Sequence, residues 1–388
     1  MSNFELQIEE IKKHLDCGKQ NWLFGAGISY LSKIPLMFPL TDRVESLVNS
    51  SGHLKNISLY SCLKADLNSK AHIEHFLSHI GDLIALAERT KNKNAIINGS
   101  EFSIDELRGC YKSIISFIGN TVRFGYQKQP NELVGTVTDP IIEVEHHIKF
   151  VKALFANRSN VISRSKMRLF TTNYDTLLED ALGLEQYIVK DGFSGGLLGF
   201  WNPHVEFEEK NTDPRTCYIY KLHGSIDWCI NADGRLIRTR YGTKYLPSPD
   251  NIMIYPQATK YVETQKDPFS YLFSGLRNAL NSKDDHILVT CGYSFGDEHI
   301  NAEIEGMLSS PSNKTIVIAF SEEAPDASNG TIVNPTIDRW LKNVSFGERV
   351  RVIGKKGVYH KSINVIPPDD GKDIYWWTFT GLTDFLLS

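Results

Sequence analysis

Met167-Arg168-Leu169-Phe170-Thr171-Thr172-Asn173-Tyr174-Asp175 is a short apolar run that breaks at a polar turn, and a helix-forming stretch starts at Thr176. The same kind of junction occurs at three other places. Gln20 to Phe24 runs into Gly25-Ala26-Gly27-Ile28-Ser29, Tyr218-Ile219-Tyr220 into Lys221-Leu222-His223-Gly224-Ser225, and His286 to Thr290 into Cys291-Gly292-Tyr293-Ser294-Phe295-Gly296-Asp297. Apolar runs of this length, bounded by turn residues, predict buried strands. Helical spacing follows at Pro268 to Leu280 and Glu298 to Leu308, and another strand is predicted at Thr315 to Phe320. This alternation predicts an α/β fold: a Rossmann-like parallel sheet with helices on both faces. Ligands of such sheets gather at the carboxyl ends of the strands, where all four polar segments fall.

Between the first strand and Met167 the pattern changes. A βαβ unit normally brings its second strand within ~30 residues. Here Ala71 to Ala87, Phe102 to Phe124 and Ile141 to Phe155 instead carry apolar residues at helical spacing, with loop chemistry at Lys91 to Ser100 and Gly125 to Thr138. Residues 51–160 therefore read as a helical insertion module in a domain formed by 1–50 and 160–388. The stretch Ile28 to Pro39 is apolar but holds two prolines, which suits an irregular cover over a ligand, with Thr41 or Asp42 capping the helix beyond it. The glycines of Gly25-Ala26-Gly27 allow a tight turn and close backbone approach, and the N–H groups of a following helix would offer a site for a pyrophosphate. Met1 to Asp16 has helical spacing, and the aromatic tail Asp373 to Ser388 reads as a terminal element packed on the core, or else as a subunit interface.

Composition excludes some classes of function. The chain has 388 residues with 41% hydrophobic and 23% charged, and its formal charge of −4 gives no general attraction to nucleic acid. Direct nucleic-acid binding is not expected of the clusters Arg158, Arg164, Lys166, Arg168 and Arg235, Arg238, Arg240. No apolar run is long enough for a membrane span and no signal-peptide core is present, so a cytoplasmic protein is expected. The six cysteines (17, 62, 110, 217, 229, 291) form no Cys-x-x-Cys pair, which predicts reduced thiols and no metal.

Each polar segment has an ordinary structural explanation. Gly-Ala-Gly after a strand is common in nucleotide-binding folds, Asn-x-Asp is a frequent turn or helix cap, and Ser294 or Asp297 can cap the helix at Glu298. A single histidine such as His223 is usually a hydrogen-bonded structural one. The argument for function is their co-occurrence in order, each at a strand end.

In that order they resemble the SIR2 family, and within it the SIR2-like NAD-consuming effectors of bacterial antiphage defence. Gly25 to Ser29 is similar to the family's first glycine turn, Thr171 to Asp175 to its Thr-x-Asn-x-Asp segment, and His223-Gly224 to its His-Gly. Gly292 to Asn301 looks like the version of the bacterial branch, replacing the Gly-Thr-Ser segment of deacylases. The likeness covers residues 20–320 as islands, and the helical insertion carries none of it. Two departures separate the chain from deacylases. The four zinc cysteines are missing, and Ile34-Pro35 is followed by Leu36-Met37-Phe38 where deacylases have an acidic residue, for which Asp42 is the substitute considered.

The resemblance implies hydrolysis of NAD+, as substrate, to ADP-ribose and nicotinamide, without a metal. It implies catalytic roles for Asn173, His223 and Asp175, and NAD+ contacts from Gly25, Ala26, Gly27, Ser29, Thr172, Gly292, Ser294 and Asp297. It also implies a homo-oligomer working beside a HerA-type hexameric ATPase. The alternatives are an NAD- or ADP-ribose-binding regulatory subunit of an ATPase or nuclease complex, and an NAD-dependent deacylase. Chemically, the amide of Asn173 both donates and accepts, which suits a ribose hydroxyl or a water. An imidazole such as that of His223 suits proton acceptance.

Overall fold

The computed structural model describes every residue except 17–18, 157–166, 197, 209–214, 232, 240–251, 255–266, 282–285, 324–333 and 362–363, with only the backbone at 252–254. Cys17, Arg158, Arg164, Lys166 and Arg240, singled out above, lie outside the described residues. The chain opens with α1 (Asn3–Leu15), β1 (Gln20–Phe24) and a single 3-10 turn at Ala26–Ser29. Then come α2 (Met37–Ser50), α3 (Leu54–Asp66), α4 (Ile73–Arg89), the hairpin β2 (Asn94–Ile97) and β3 (Ser100–Ser103), α5 (Ile104–Phe124), and the short pair β4 (Tyr126–Gln127) and β5 (Leu133–Val134). The chain returns to the main sheet through α6 (Glu145–Ala156), β6 (Met167–Thr171), α7 (Leu177–Leu184) and β7 (Ile188–Lys190). It continues with β8 (Phe193–Gly195), β9 (Leu198–Trp201), α8 (Pro203–Glu206), β10 (Thr216–Lys221), β11 (Gly224–Ile230), β12 (Leu236–Thr239) and β13 (Ile252–Ile254). The last part holds α9 (Phe269–Leu280), β14 (Ile287–Cys291), α10 (Glu298–Leu308), β15 (Ile316–Phe320), α11 (Pro335–Leu341), β16 (Val350–Ile353), β17 (Val358–His360) and α12 (Phe379–Leu387).

The main sheet has eight strands in the order β17-β16-β15-β14-β1-β6-β10-β7, and every pair is parallel except β16 with β17. This is the Rossmann-like arrangement expected. Strand order reverses at β1, which has β6 on one side and β14 on the other, so the switch point lies between the ends of β1 and β14. Because side chains alternate across a strand, Leu23, Phe170 and Leu288 enter the core under α9, α10 and α11, while Trp22, Phe24, Leu169 and Val289 enter the opposite core with α1, α6, α7 and α12. Both edges are short. β7 has three residues, and the backbone N–H and C=O of Val358 in β17 are bonded to Ile366. A second, antiparallel sheet has the order β13-β11-β12-β9-β8.

A third core belongs to the helical unit. Leu40, Val44 and Val48 of α2 pack with α3, α4 and α5, whereas Phe150, Val151 and Leu154 of α6 pack on the main sheet. In packing terms α2 goes with the insertion and α6 with the sheet. The loop read at Lys91 to Ser100 contains β2 and the start of β3. The helix expected to be capped by Thr41 or Asp42 starts instead at Met37, with Leu36 at the cap position. Pro39 is accommodated in its first turn, where the N–H has no intrahelical acceptor to lose. Thr41 Oγ1 donates to Met37 O and accepts from Ile73 N, fastening α2 to α4. The aromatic tail becomes α12 on the core, with Phe379 against His147 and Phe150 and with Trp376 stacked on Phe4.

Candidate functional site

The site grows from the carboxyl ends of β1, β6, β10 and β14. At the switch point two glycine-bearing loops meet backbone to backbone. Gly25 N donates to Cys291 O at 3.3 Å and Gly27 N to Gly292 O at 3.0 Å. A Cβ on Gly25 would fall 2.5 Å from Gly292 O, and one on Gly27 would fall 2.7 Å from Gly292 Cα. Gly292 itself has φ +63°, the left-handed region that favours glycine. The helix expected after the glycines is replaced by a single 3-10 turn, Ala26–Ser29, which includes Gly27, and the N–H groups of Gly25, Gly27 and Ile28 are already bonded within the protein. Ala26 is exposed and Gly27 half-buried.

Ser29, fully buried, ties this turn to the loop after β6. Its hydroxyl donates to Asp175 Oδ2 at 2.8 Å and accepts from Asn173 Nδ2 at 3.0 Å. The direction of the amide follows from this network. The single hydroxyl proton goes to a carboxylate that offers only acceptors, so Asn173 must present its NH2 to Ser29. Asn173 Oδ1 is thereby left buried with no hydrogen-bond partner among the described residues. Asp175 also accepts from Leu177 N through Oδ1 at 3.0 Å, forming the turn that starts α7. The residue is thus both the structural turn and part of the polar network. Thr172 N donates to Phe24 O at 3.0 Å, which holds this loop against the end of β1.

His223 leaves β10 two residues past Lys221, as Asn173 leaves the adjacent β6 two residues past Thr171, and Lys221 and Thr171 are register partners. The two loops are therefore level along the sheet. His223 Nε2 lies 3.7 Å from Asp297 Oδ1, and both side chains are buried. Asp297 occupies the cap position of α10, yet its side chain makes no capping hydrogen bond. Its carboxylate faces His223 instead. His299 stacks over His223 with ring centroids 6.0 Å apart. The loop is held from behind by Tyr293, whose hydroxyl donates to Asn301 Oδ1 at 3.0 Å, and by Asn301 Nδ2, which donates to Phe295 O at 2.8 Å. Burial beside Asp297 raises the Tyr293 phenol well above its usual range, so it stays a donor. Ser294 is exposed, and its hydroxyl accepts from Gly296 N within its own turn.

Two buried groups that motif spacing did not reveal brace the Asn173 loop. Lys221 Nζ donates to the Asp175 carbonyl and pairs with Glu179 at 3.0 Å. Burial raises the Glu179 carboxyl and the Lys221 ammonium opposes that rise. The one available signal was an isolated Lys at the end of an otherwise apolar strand. On the other side Tyr174 donates to Glu74 Oε1 at 2.5 Å, and both are buried. Asp42, the substitute considered for the acidic residue after Pro35, is exposed and paired with Lys128 at 2.8 Å. It takes no part in this network.

Residues 167–343 match the sequence profile of the SIR2-like domain. The match starts with β6 and takes in Asn173, Asp175, His223 and the Gly292 to Asp297 loop, and it connects this segment with NAD-related activity. No curated protein matches the chain.

Proposed function

We propose that the protein is an NAD+ glycohydrolase, cleaving NAD+ to ADP-ribose and nicotinamide. The observation that carries this reading is the buried Asn173 amide, oriented through Ser29 so that its free Oδ1 can only accept a proton donor. A ribose hydroxyl or a water supplies such a donor. Nicotinamide leaves the ribose as a neutral molecule, so no strong acid is required. What helps is a positioned acceptor while positive charge grows on the sugar. His223 takes the proton from the hydroxyl or water, and the Asp297 carboxylate beside it stabilises the imidazolium that results. The glycine contact at the switch point brings the β1 and β14 loops close enough for one dinucleotide to span both.

The wider role we propose is depletion of NAD+ in the cytoplasm of infected bacteria, as a homo-oligomer working with a HerA-type hexameric ATPase. It is supported by the likeness of Gly292 to Asn301 to the bacterial branch. The test is nicotinamide release from NAD+ by purified protein, with and without such an ATPase. Wild type releases nicotinamide under one of these conditions, while Asn173→Ala and His223→Ala abolish the release. Undiminished turnover in both variants overturns the reading. Tight ADP-ribose binding with NAD+ left intact supports the regulatory-subunit alternative instead.

A further inference from the structure

The helical unit carries none of the four site segments, yet its core takes Tyr174 from inside one of them and residues just past two others, while Ile28 and Leu222 of those two pack in the cores on either face of the main sheet. Ile34 and Met37, just past the glycine turn, pack in the core of the helical unit. So do Tyr174, between Asn173 and Asp175, and Ile226, three residues past His223. Tyr293 and Phe295 of the fourth segment lie, with Leu222, in the core under α9 and α10. Polar contacts add to the ties with the helical unit. Glu74 in the first turn of α4 accepts from the Tyr174 hydroxyl, and Arg123 at the end of α5 donates to Ile226 O at 2.6 Å. The Asn173 and His223 loops are also joined to each other, because Ile226 N donates to Tyr174 O at 3.0 Å and Ser225 Oγ to the same oxygen at 3.3 Å.

We infer that Glu74 and Arg123 are positioning residues: the helical unit sets where Asn173 and His223 stand relative to the Gly292 to Asp297 loop, through Tyr174 and Ile226. This rests on the NAD+ cleavage reading for its kinetic arm only. The Tyr174–Glu74 bond suits the role physically. A hydrogen bond to a carboxylate, buried and placed at a helix N-terminus that favours negative charge, is among the stronger ones a protein makes. It acts on the residue whose two neighbours belong to the polar network, so a displacement of α4 is passed to both of them.

The test compares Glu74→Gln, Glu74→Leu, Tyr174→Phe and Arg123→Met. Glu74→Gln keeps an acceptor for the phenol and retains near-wild-type kcat. Glu74→Leu and Tyr174→Phe lower kcat by about tenfold while KM moves by less than about twofold, because orientation is lost and binding is not. Amide hydrogen exchange, which needs no turnover, is read in parallel. Residues 172–177 exchange faster in Glu74→Leu and Tyr174→Phe, residues 224–227 exchange faster in Arg123→Met, and residues 292–297 stay as in wild type. Should Glu74→Leu not fold, Tyr174→Phe carries the comparison. Unchanged exchange in residues 172–177 and 224–227 overturns the inference, as does full kcat in Tyr174→Phe when wild type is active. Wild type that never cleaves NAD+ defeats the proposed function, and the exchange arm still decides this one.

Discussion

Ser29→Ala is the smallest change that dismantles the polar network. The hydroxyl is fully buried, with 2.8 Å to Asp175 Oδ2 and 3.0 Å to Asn173 Nδ2. Its removal leaves a carboxylate oxygen and an amide NH2 buried without these partners. Each such group costs about 1–3 kcal/mol, more for the charged one, so the expected loss of stability is about 3–5 kcal/mol. That is a large share of the ~5–15 kcal/mol of a typical domain. Turnover falls as well, since the Asn173 amide loses the bond that fixes its direction, and misplacement by ~1 Å costs about 100-fold. Asn173→Ala supplies the contrast. It deletes the unpartnered Oδ1 together with the amide, so it changes stability by only about 1 kcal/mol while abolishing activity. Urea unfolding followed by fluorescence gives the first quantity and nicotinamide release from NAD+ the second. If Ser29→Ala loses less than about 1 kcal/mol and keeps kcat within about threefold, the network does not hold the site and the reasoning fails.

Gly27→Ala drives a methyl to 2.7 Å from the Gly292 backbone, so it should separate the two loops and raise KM for NAD+ by at least about tenfold, while an unchanged KM would show that the contact is dispensable. Lys221→Met strands the largely buried Glu179 carboxylate and should cost about 2–4 kcal/mol in urea unfolding; restoration by Lys221→Met combined with Glu179→Leu would confirm the cause. Burial holds the His147 imidazole neutral, down to about 4 from 6.5. The unfolded chain therefore binds the extra proton first as pH falls, and stability that is complete above 6.5 drains away toward 4. Between pH 7 and pH 5 this group accounts for about 2 kcal/mol, a slope that His147→Gln should lack. The Cys110 and Cys291 thiols, pushed up to about 12 by burial, should resist a thiol reagent in the native protein at pH 7.5 and react only on unfolding.

Sequence patterning reached the strand ends well because fully buried parallel strands are continuous apolar runs that stop at polar turns. β1, β6 and α10 begin and end where Gln20, Phe24, Met167, Thr171, Glu298 and Leu308 suggest. The antiparallel sheet was not legible. Its strands other than β11 have three or four residues, and Gly195, Gly199 and the aromatic side chains of Phe193, Trp201 and Trp228 give no clean two-residue period. The same limit hid β2 and β3. In the site, residue types marked Asn173 and His223, but the partners that orient them lie far off along the chain. Ser29 is 146 residues from Asp175, and Glu74 is 100 from Tyr174. No local spacing encodes such pairs. Asp42 sits in α2, which starts at Met37, and is exposed and paired with Lys128, a placement that the residues after Pro35 do not reveal.

The two edges of the main sheet limit how copies of this chain can meet there. A strand edge with open backbone groups invites another strand, and that route ends in fibres or swapped domains. Here one edge is a three-residue strand and the other is already bonded to Ile366. Neither offers a template long enough to extend the sheet from molecule to molecule. Contacts between copies along the main sheet would therefore run through side chains on its helices and loops, where charge and shape can specify a closed assembly.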